Sequence, residues 1–202
     1  MDKPAGLLAV PGRVVSDSVP ERLARLLARS VHVVHRLDME TSGLMVVALD
    51  AEAQRALSVQ FERREVAKGY VAIVEGRVAS DEGEIDLPMR ADLERRPLQV
   101  VDFERGRAAL TRWRVLSGER GGRTRVALEP VTGRTHQLRV HAATPREVLF
   151  AGERRAGGLG SAIVGDSLYG ARGERLLLHA ATLGLRVPGE GTMRTFRSGV
   201  PF

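Results

Sequence analysis

In this 202-residue chain the residue best placed for chemistry is Asp38, which lies in His35-Arg36-Leu37-Asp38 ahead of Thr41-Ser42-Gly43-Leu44, with an imidazole and a guanidinium beside its carboxylate. Apolar runs at 31–34 and 44–49 flank this polar break, so it reads as a loop held between two strands, where rigid backbone can aim side chains. The same residues also suit a plain turn, with Asp38 capping it, Arg36 pairing with Asp38 and Thr41-Ser42-Gly43 satisfying backbone groups. Among the other acids, Glu65, Asp86, Asp102 and Asp166 lack a comparable charged, strand-held context and read as solvated or turn-capping groups. One privileged carboxylate fits nucleophilic or base chemistry better than the paired acids of a glycosidase.

The densest polar cluster is Gly133-Arg134-Thr135-His136-Gln137-Leu138-Arg139-Val140-His141. A helix capped by Thr135 and running through His136 towards Ala143 places Arg134 and unpaired N–H groups where they can hold a phosphate. Arg139, one turn on, can reach an active-site carboxylate and keep it ionised and oriented. A helix with a solvated basic face accounts for the same residues. Lys68 and Tyr70 form a third group: a ring in a basic cleft can stack on a base and its phenol can move a proton, although a strand tyrosine is also ordinary cross-strand packing.

Metal chemistry is not expected. His32 and His35 point different ways on a strand-to-loop path, and His136 and His141 stand about 140° apart around a helix, so neither pair shares the face that a zinc-binding pair needs. With no cysteine in the chain, disulfides, thiolate catalysis, zinc ribbons and iron–sulfur clusters are excluded together.

The elements that position these groups read as α+β. Ser18-Val19-Pro20-Glu21 resembles a capping box, opening a helix with a Leu23, Leu26, Leu27 stripe that ends near Ser30. Asp50 caps a second helix on which Ala53, Leu57 and Phe61 recur, with Arg63 and Arg64 at its carboxyl end. Segments 69–74, 109–116, 124–128, 176–187 and 192–196 read as strands, and 152–160 as a mobile surface loop. Strands broken by a few helices, without βαβ alternation, predict a mixed, largely antiparallel central sheet flanked by helices and loops.

A 43% hydrophobic fraction suits a globular domain, and the chain has a net charge of +6 with a pI of about 10.8. Only Lys3 and Lys68 are lysines, so nearly all the positive charge is guanidinium, the fork that grips phosphate and stacks on bases. That balance suggests a polyanionic partner, nucleic acid first and an acidic membrane surface second, although an arginine-rich composition alone also writes such a chain. No window approaches the roughly 18 apolar residues of a membrane helix, and no signal pattern opens the chain, so the expected compartment is the cytoplasm.

Taken in order, Asp2-Lys3-Pro4-Ala5-Gly6-Leu7-Leu8, the 34–43 segment, Lys68-Gly69-Tyr70, 133–141, Gly165-Asp166-Ser167-Leu168-Tyr169-Gly170 and Leu178-His179-Ala180 resemble the RluA family of pseudouridine synthases. The resemblance spans almost the whole chain and is most specific in the pairing of HRLD-x-x-TSG with GRTHQLR.

It implies one pseudouridine synthase catalytic domain over 1–202 and cofactor-free isomerisation of uridine in RNA. In that reaction the N1–C1′ bond is cut, the uracil turns and C5 is joined to C1′. Asp38 becomes the essential carboxylate, nucleophile or base at the sugar; Tyr70 stacks on the uracil and helps remove the C5 proton; Arg139 pairs with Asp38. Arg36 fills the space the flipped base vacates, and His35, Lys68, Arg134 and His136 join it on the RNA side. Flipping is least costly in loops, so a structured RNA stem-loop is the expected partner.

Val10-Pro11-Gly12-Arg13, Asp86-Leu87-Pro88 and the short carboxyl end resemble the small type without an S4 domain, which modifies 23S rRNA and a tRNA anticodon loop and is expected to be monomeric. Residues 142–165, with Arg146, Arg154 and Arg155, read as a loop insertion where relatives connect more briefly. The rival reading is a non-catalytic basic RNA-binding or ribosome-assembly protein, with a nucleoside or RNA glycosidase as a third.

Overall fold

The structure is a computed structural model that describes residues 1–12 and 14–202; Arg13, quoted above with the 10–13 segment, lies outside the described residues. The chain forms two units, Met1–Gly69 with His179–Phe202, and Tyr70–Leu178.

In the first unit, β1 (Asp2–Lys3), α1 (Val19–Leu27), β2 (His32–Val33), β3 (Ser42–Leu44), β4 (Val47–Ala48) and α2 (Ala51–Glu62) follow one another. Helix α2 forms as its pattern predicts: Asp50 Oδ1 accepts the Ala53 amide at 2.8 Å, and Ala53, Leu57 and Phe61 pack with Ala48, Val66, Leu183 and Leu185.

Helix α1 departs from its pattern. No side-chain cap forms, and both Ser18 Oγ and Glu21 Oε2 are buried without a hydrogen-bond partner among the described residues. The turn is instead fixed through backbone, Val19 N–H donating to Leu8 O at 2.8 Å, while Arg22 pairs with Asp17. The helix stops at Leu27, with Ala28 left-handed, before the expected Ser30. Of its leucine stripe Leu23 is half-buried while Leu26 and Leu27 stay outside, 78% and 43% exposed, and Val19 is the one α1 residue in the core.

Strand β5 (Ala67–Val74) carries the chain into the second unit. There follow β6 (Glu82–Asp86), a hairpin of β7 (Met89–Ala91) and β8 (Gln99–Val101), then β9 (Leu110–Gly118), β10 (Thr124–Pro130), α3 (Gln137–Ala143) and a hairpin of β11 (Glu147–Phe150) and β12 (Glu153–Ala156). The sheet of this unit runs β5-β10-β9-β6, each pair antiparallel. Val126 and Leu128 alternate inward from β10 and meet Ala72, Val74, Ile85 and, from α3, Leu138 and Ala142. Strand β13 (Leu178–Arg186) returns to the first unit, where it pairs parallel with β3 and antiparallel with β14 (Met193–Arg197); β3 pairs antiparallel with β1. The α+β, largely antiparallel architecture is therefore as composition and periodicity indicated.

The segment expected as a mobile loop at 152–160 is ordered. Residues 153–156 are β12, and beyond it Gly157, Gly158, Leu159 and Gly160 donate to the carbonyls of Arg146, Pro145, His141 and Thr144. The glycine richness that suggested mobility serves close backbone approach: a Cβ on Gly157 or Gly158 collides with those same carbonyls.

Candidate active site

The Asp38 loop is tied down at each step of its path in the first unit. At its entrance His35 stacks on Phe61, ring centroids 4.5 Å apart, and its Nε2 accepts the Val46 amide at 3.0 Å. Burial pushes the His35 pKa down to about 4, helped by the charges of Lys68 and the amino terminus, so the ring is a neutral acceptor. Leu37 is buried, Arg36 is exposed and Asp38 is half-buried between solvent and core. Asp38 O accepts the Thr41 amide at 3.1 Å, closing a turn, and Met39 O receives both the Gly6 amide at 2.8 Å and Lys3 Nζ at 3.0 Å.

At the exit, β3 lies parallel against β13, with Ser42 opposite His179 and Gly43 opposite Ala180. Gly43 has φ +114°, and a Cβ there runs into the Ala180 backbone, so only glycine fits. Ser42 Oγ bonds His179 Nδ1 at 2.9 Å; His179 Nε2 bonds Ser198 Oγ at 3.0 Å, and Ser198 Oγ donates to the Asp2 carboxylate. This chain joins the two ends of the unit beneath the loop.

In the second unit α3 is buried, not a solvated basic face: Gln137, Leu138, Arg139, Val140, His141 and Ala142 are all in the interior. Thr135 is not its cap, because His136 occupies that position in the left-handed region, φ 55°. The Arg134 amide that was to meet a phosphate is taken by Gln137 Oε1 at 3.0 Å, while Gln137 Nε2 donates to Leu110 O and Thr111 Oγ1, both at 3.0 Å. His141 is held by Thr111 Oγ1 at 2.9 Å and Leu87 O at 3.3 Å, and burial lowers its pKa to about 4.

Arg139 forms a forked pair with Asp166, Nε to Oδ2 at 2.8 Å and Nη2 to Oδ1 at 2.6 Å, both side chains shut off from solvent. Asp166 Oδ1 also accepts the amides of Leu168 and Tyr169. Burial opposes its ionisation, but the Arg139 hydrogen bond and charge, with those two amides, outweigh it and hold the pKa below the ordinary carboxylate value. Tyr169 lies over the guanidinium, 5.5 Å from its ring centroid, and its hydroxyl meets His136 Nδ1 and the Gln99 amide, each at 2.8 Å. Asp166 was read from sequence as a surface or capping acid; its side chain is instead buried as the forked partner of Arg139.

The other sequence candidates are placed as follows. Tyr70 is half-buried on β5, opposite Leu128 of β10 and packed on the core of the second unit. Lys68, earlier on the same strand, is half-buried, and burial with the neighbouring Arg64 lowers its pKa. Arg134 Nε donates to Ala108 O at 3.0 Å. The sequence reading passed over Lys3, His179 and Tyr169, although each falls in a motif that carried the resemblance; what was missing was a signal of burial, since each acts on a partner remote in sequence.

The family model described as RNA pseudouridylate synthase matches residues 1–144. A curated relative from Yersinia pestis, described as dual-specificity RNA pseudouridine synthase RluA, is 43% identical over 209 residues, covering 100% of this chain and 94% of its own. The Escherichia coli (strain K12) protein of the same description is 42% identical over 209 residues, covering 100% of this chain and 89% of its own. Among solved structures, human RNA pseudouridylate synthase domain containing 1 superposes with a TM-score of 0.79 at 27% identity, over 100% of this chain and 79% of that one. Human RNA pseudouridylate synthase domain containing 4 gives 0.73 at 27% identity, over 99% and 84%.

Proposed function

Because this chain belongs to the RNA pseudouridylate synthase family, we propose that it isomerises uridines in the stem-loops of large-subunit rRNA and of a tRNA anticodon arm, as one catalytic domain. It is an isomerase acting on RNA; the choice of substrates rests on relatives named for dual specificity and aligned along the whole chain. The single observation that carries the reading is the Asp38 loop: a half-buried carboxylate on a segment whose backbone is fixed before, at and after it. Chemistry on a ribose needs an acid held in one place, whereas RNA binding alone does not, and this disfavours a non-catalytic RNA-binding role.

In this reading Asp38 acts on the sugar as the N1–C1′ bond breaks. The freed uracil turns on a stacking surface that includes Tyr70; C5 bonds to C1′, the C5 proton leaves and N1 ends protonated, so substrate and product are isomers. Arg139 has two tasks, the Asp166 pair that anchors it and a charge partner for Asp38. Exposed Arg36 occupies the gap left by the flipped base, while His35, Lys68, Arg134 and His136 flank the RNA path. No cofactor enters the scheme, and the enzyme works as a monomer in the cytoplasm. Among the described residues no helix is long and apolar enough to cross a membrane.

The test is release of tritium from RNA labelled at uridine C5, with the anticodon stem-loop and an rRNA hairpin as separate substrates. Wild type is expected to release tritium and Asp38→Asn to release none while still binding RNA. Equal release by both removes Asp38 from the chemistry; release from neither RNA with wild type removes the substrate assignment.

A further inference from the structure

Lys3 is one of two lysines in the chain, and its side chain is fully buried. All three ammonium protons are used on main-chain carbonyls, Leu7 O at 2.7 Å, Pro4 O at 2.9 Å and Met39 O at 3.0 Å. None of those acceptors carries a charge, so the site solvates an ammonium without neutralising it. A buried cation in such a place is costly unless an anion lies within range. Among the described charged groups of the first unit, Asp38 is the one whose charge opposes the effect of burial on Lys3. The third carbonyl, Met39 O, belongs to the residue next to Asp38 and also takes the Gly6 amide, so Lys3 and its own strand end grip the peptide on which the carboxylate is mounted.

We propose that Lys3 is a positioning residue for Asp38, holding the 38–39 backbone through the Met39 carbonyl and setting a buried positive charge beside the segment that carries the carboxylate. A neutral donor would satisfy the same carbonyls at lower desolvation cost; what an ammonium adds is a field. Burial lowers the Lys3 pKa to about 8 against the pull of Asp38 in the other direction, which places its deprotonation in reach of experiment. The inference deepens the reading of Asp38 as the catalytic carboxylate and rests on it.

With only two lysines, the side-chain amines give two signals in lysine-labelled protein, assigned by Lys68→Arg. The Lys3 amine is followed against pH in the wild type and in Asp38→Asn. In the variant it is expected to titrate at lower pH by about half a unit or more; an unchanged titration overturns the proposal. In parallel, Lys3→Met is expected to lower kcat with little change in KM for RNA, because loss of the Met39 clamp moves Asp38. A kcat equal to wild type in folded Lys3→Met also overturns it. Should Lys3→Met not fold, the lysine titration decides alone. Coupling seen in a protein that releases no tritium leaves the Lys3–Asp38 relation standing and removes the catalytic reading; tritium release without coupling does the reverse.

Discussion

Arg139 and Asp166 meet side by side in the interior of the second unit, two parallel N–H···O bonds of 2.8 and 2.6 Å with 2% and 0% of their side chains exposed. A fork of this kind fixes the guanidinium plane, with Tyr169 lying over the guanidinium and the Leu168 and Tyr169 amides bonding the carboxylate. Asp166→Ala strands a buried guanidinium and is expected to lower unfolding free energy by about 3–5 kcal/mol, read by denaturant titration. Arg139→Met with Asp166→Leu is expected to recover much of that stability while abolishing activity, because the paired apolar replacement removes both desolvated charges. A double variant that is as unstable as the single one argues against this account.

The same pair has a pH signature. The folded-state pKa of Asp166 is depressed, so its contribution is complete above the ordinary carboxylate range, about pH 4, and is lost as pH falls towards the folded value. Acid unfolding of the wild type should therefore show a carboxylate-linked slope below about pH 4 that Asp166→Asn lacks.

His141 behaves in the opposite chemical sense but on the same side of the pH scale. Its folded pKa is lowered to about 4 while the unfolded chain titrates near 6.5, so the fold favours the neutral ring, stability is full above pH 6.5, and it declines between 6.5 and 4. The loss attributable to His141 is about 3 kcal/mol. Stability measured against pH should fall less steeply through that window in His141→Gln, whose amide can keep one of the two bonds to Thr111 and Leu87 without taking a proton.

The Asp38 loop was legible in sequence because a polar break between two apolar runs is a local signal, whereas most of what fixes it, Lys3, Gly6, Phe61 and β13, lies far off along the chain. Asp166 was not, because its partner lies 27 residues away and nothing in the local pattern distinguishes a buried acid from a turn-capping one. Helix α3 was found, but a solvated basic face stood open beside its functional reading; the bonds that let Gln137 and His141 sit inside come from β9 and from Leu87, which periodicity does not report. On α1 the error ran the other way: a good amphipathic pattern states that one face is apolar, not that anything covers it. The 152–160 segment shows the same limit, since glycines written for close packing and glycines written for mobility look alike.

Gly43→Ala tests how far the loop depends on its exit. The new Cβ is forced against the Ala180 backbone at a φ of +114° that alanine avoids, so β3 must part from β13 or the loop must shift. A destabilisation of about 3 kcal/mol is expected, together with loss of tritium release out of proportion to the fraction unfolded, because any shift moves Asp38. Full activity per folded molecule in Gly43→Ala would show that Asp38 is positioned from its entrance alone.

Arg36 and Arg134 should separate on kinetics. Arg36 is exposed and no described residue bonds its guanidinium, as suits a side chain that enters the RNA stack; Arg134 is half-buried and its Nε is steadied by Ala108 O. A residue that fills the gap left by a flipped base offsets part of the unstacking cost of a few kcal/mol. Arg36→Ala is therefore expected to lower turnover at saturating RNA by about ten- to a hundredfold with little change in the salt dependence of binding. A phosphate contact does the reverse: Arg134→Ala should weaken binding at all salt concentrations and reduce the slope of log K against log salt by about 0.7–0.9, leaving kcat at saturation near wild type. If the two variants exchange these signatures, Arg36 belongs to the backbone path and Arg134 to the flipped base.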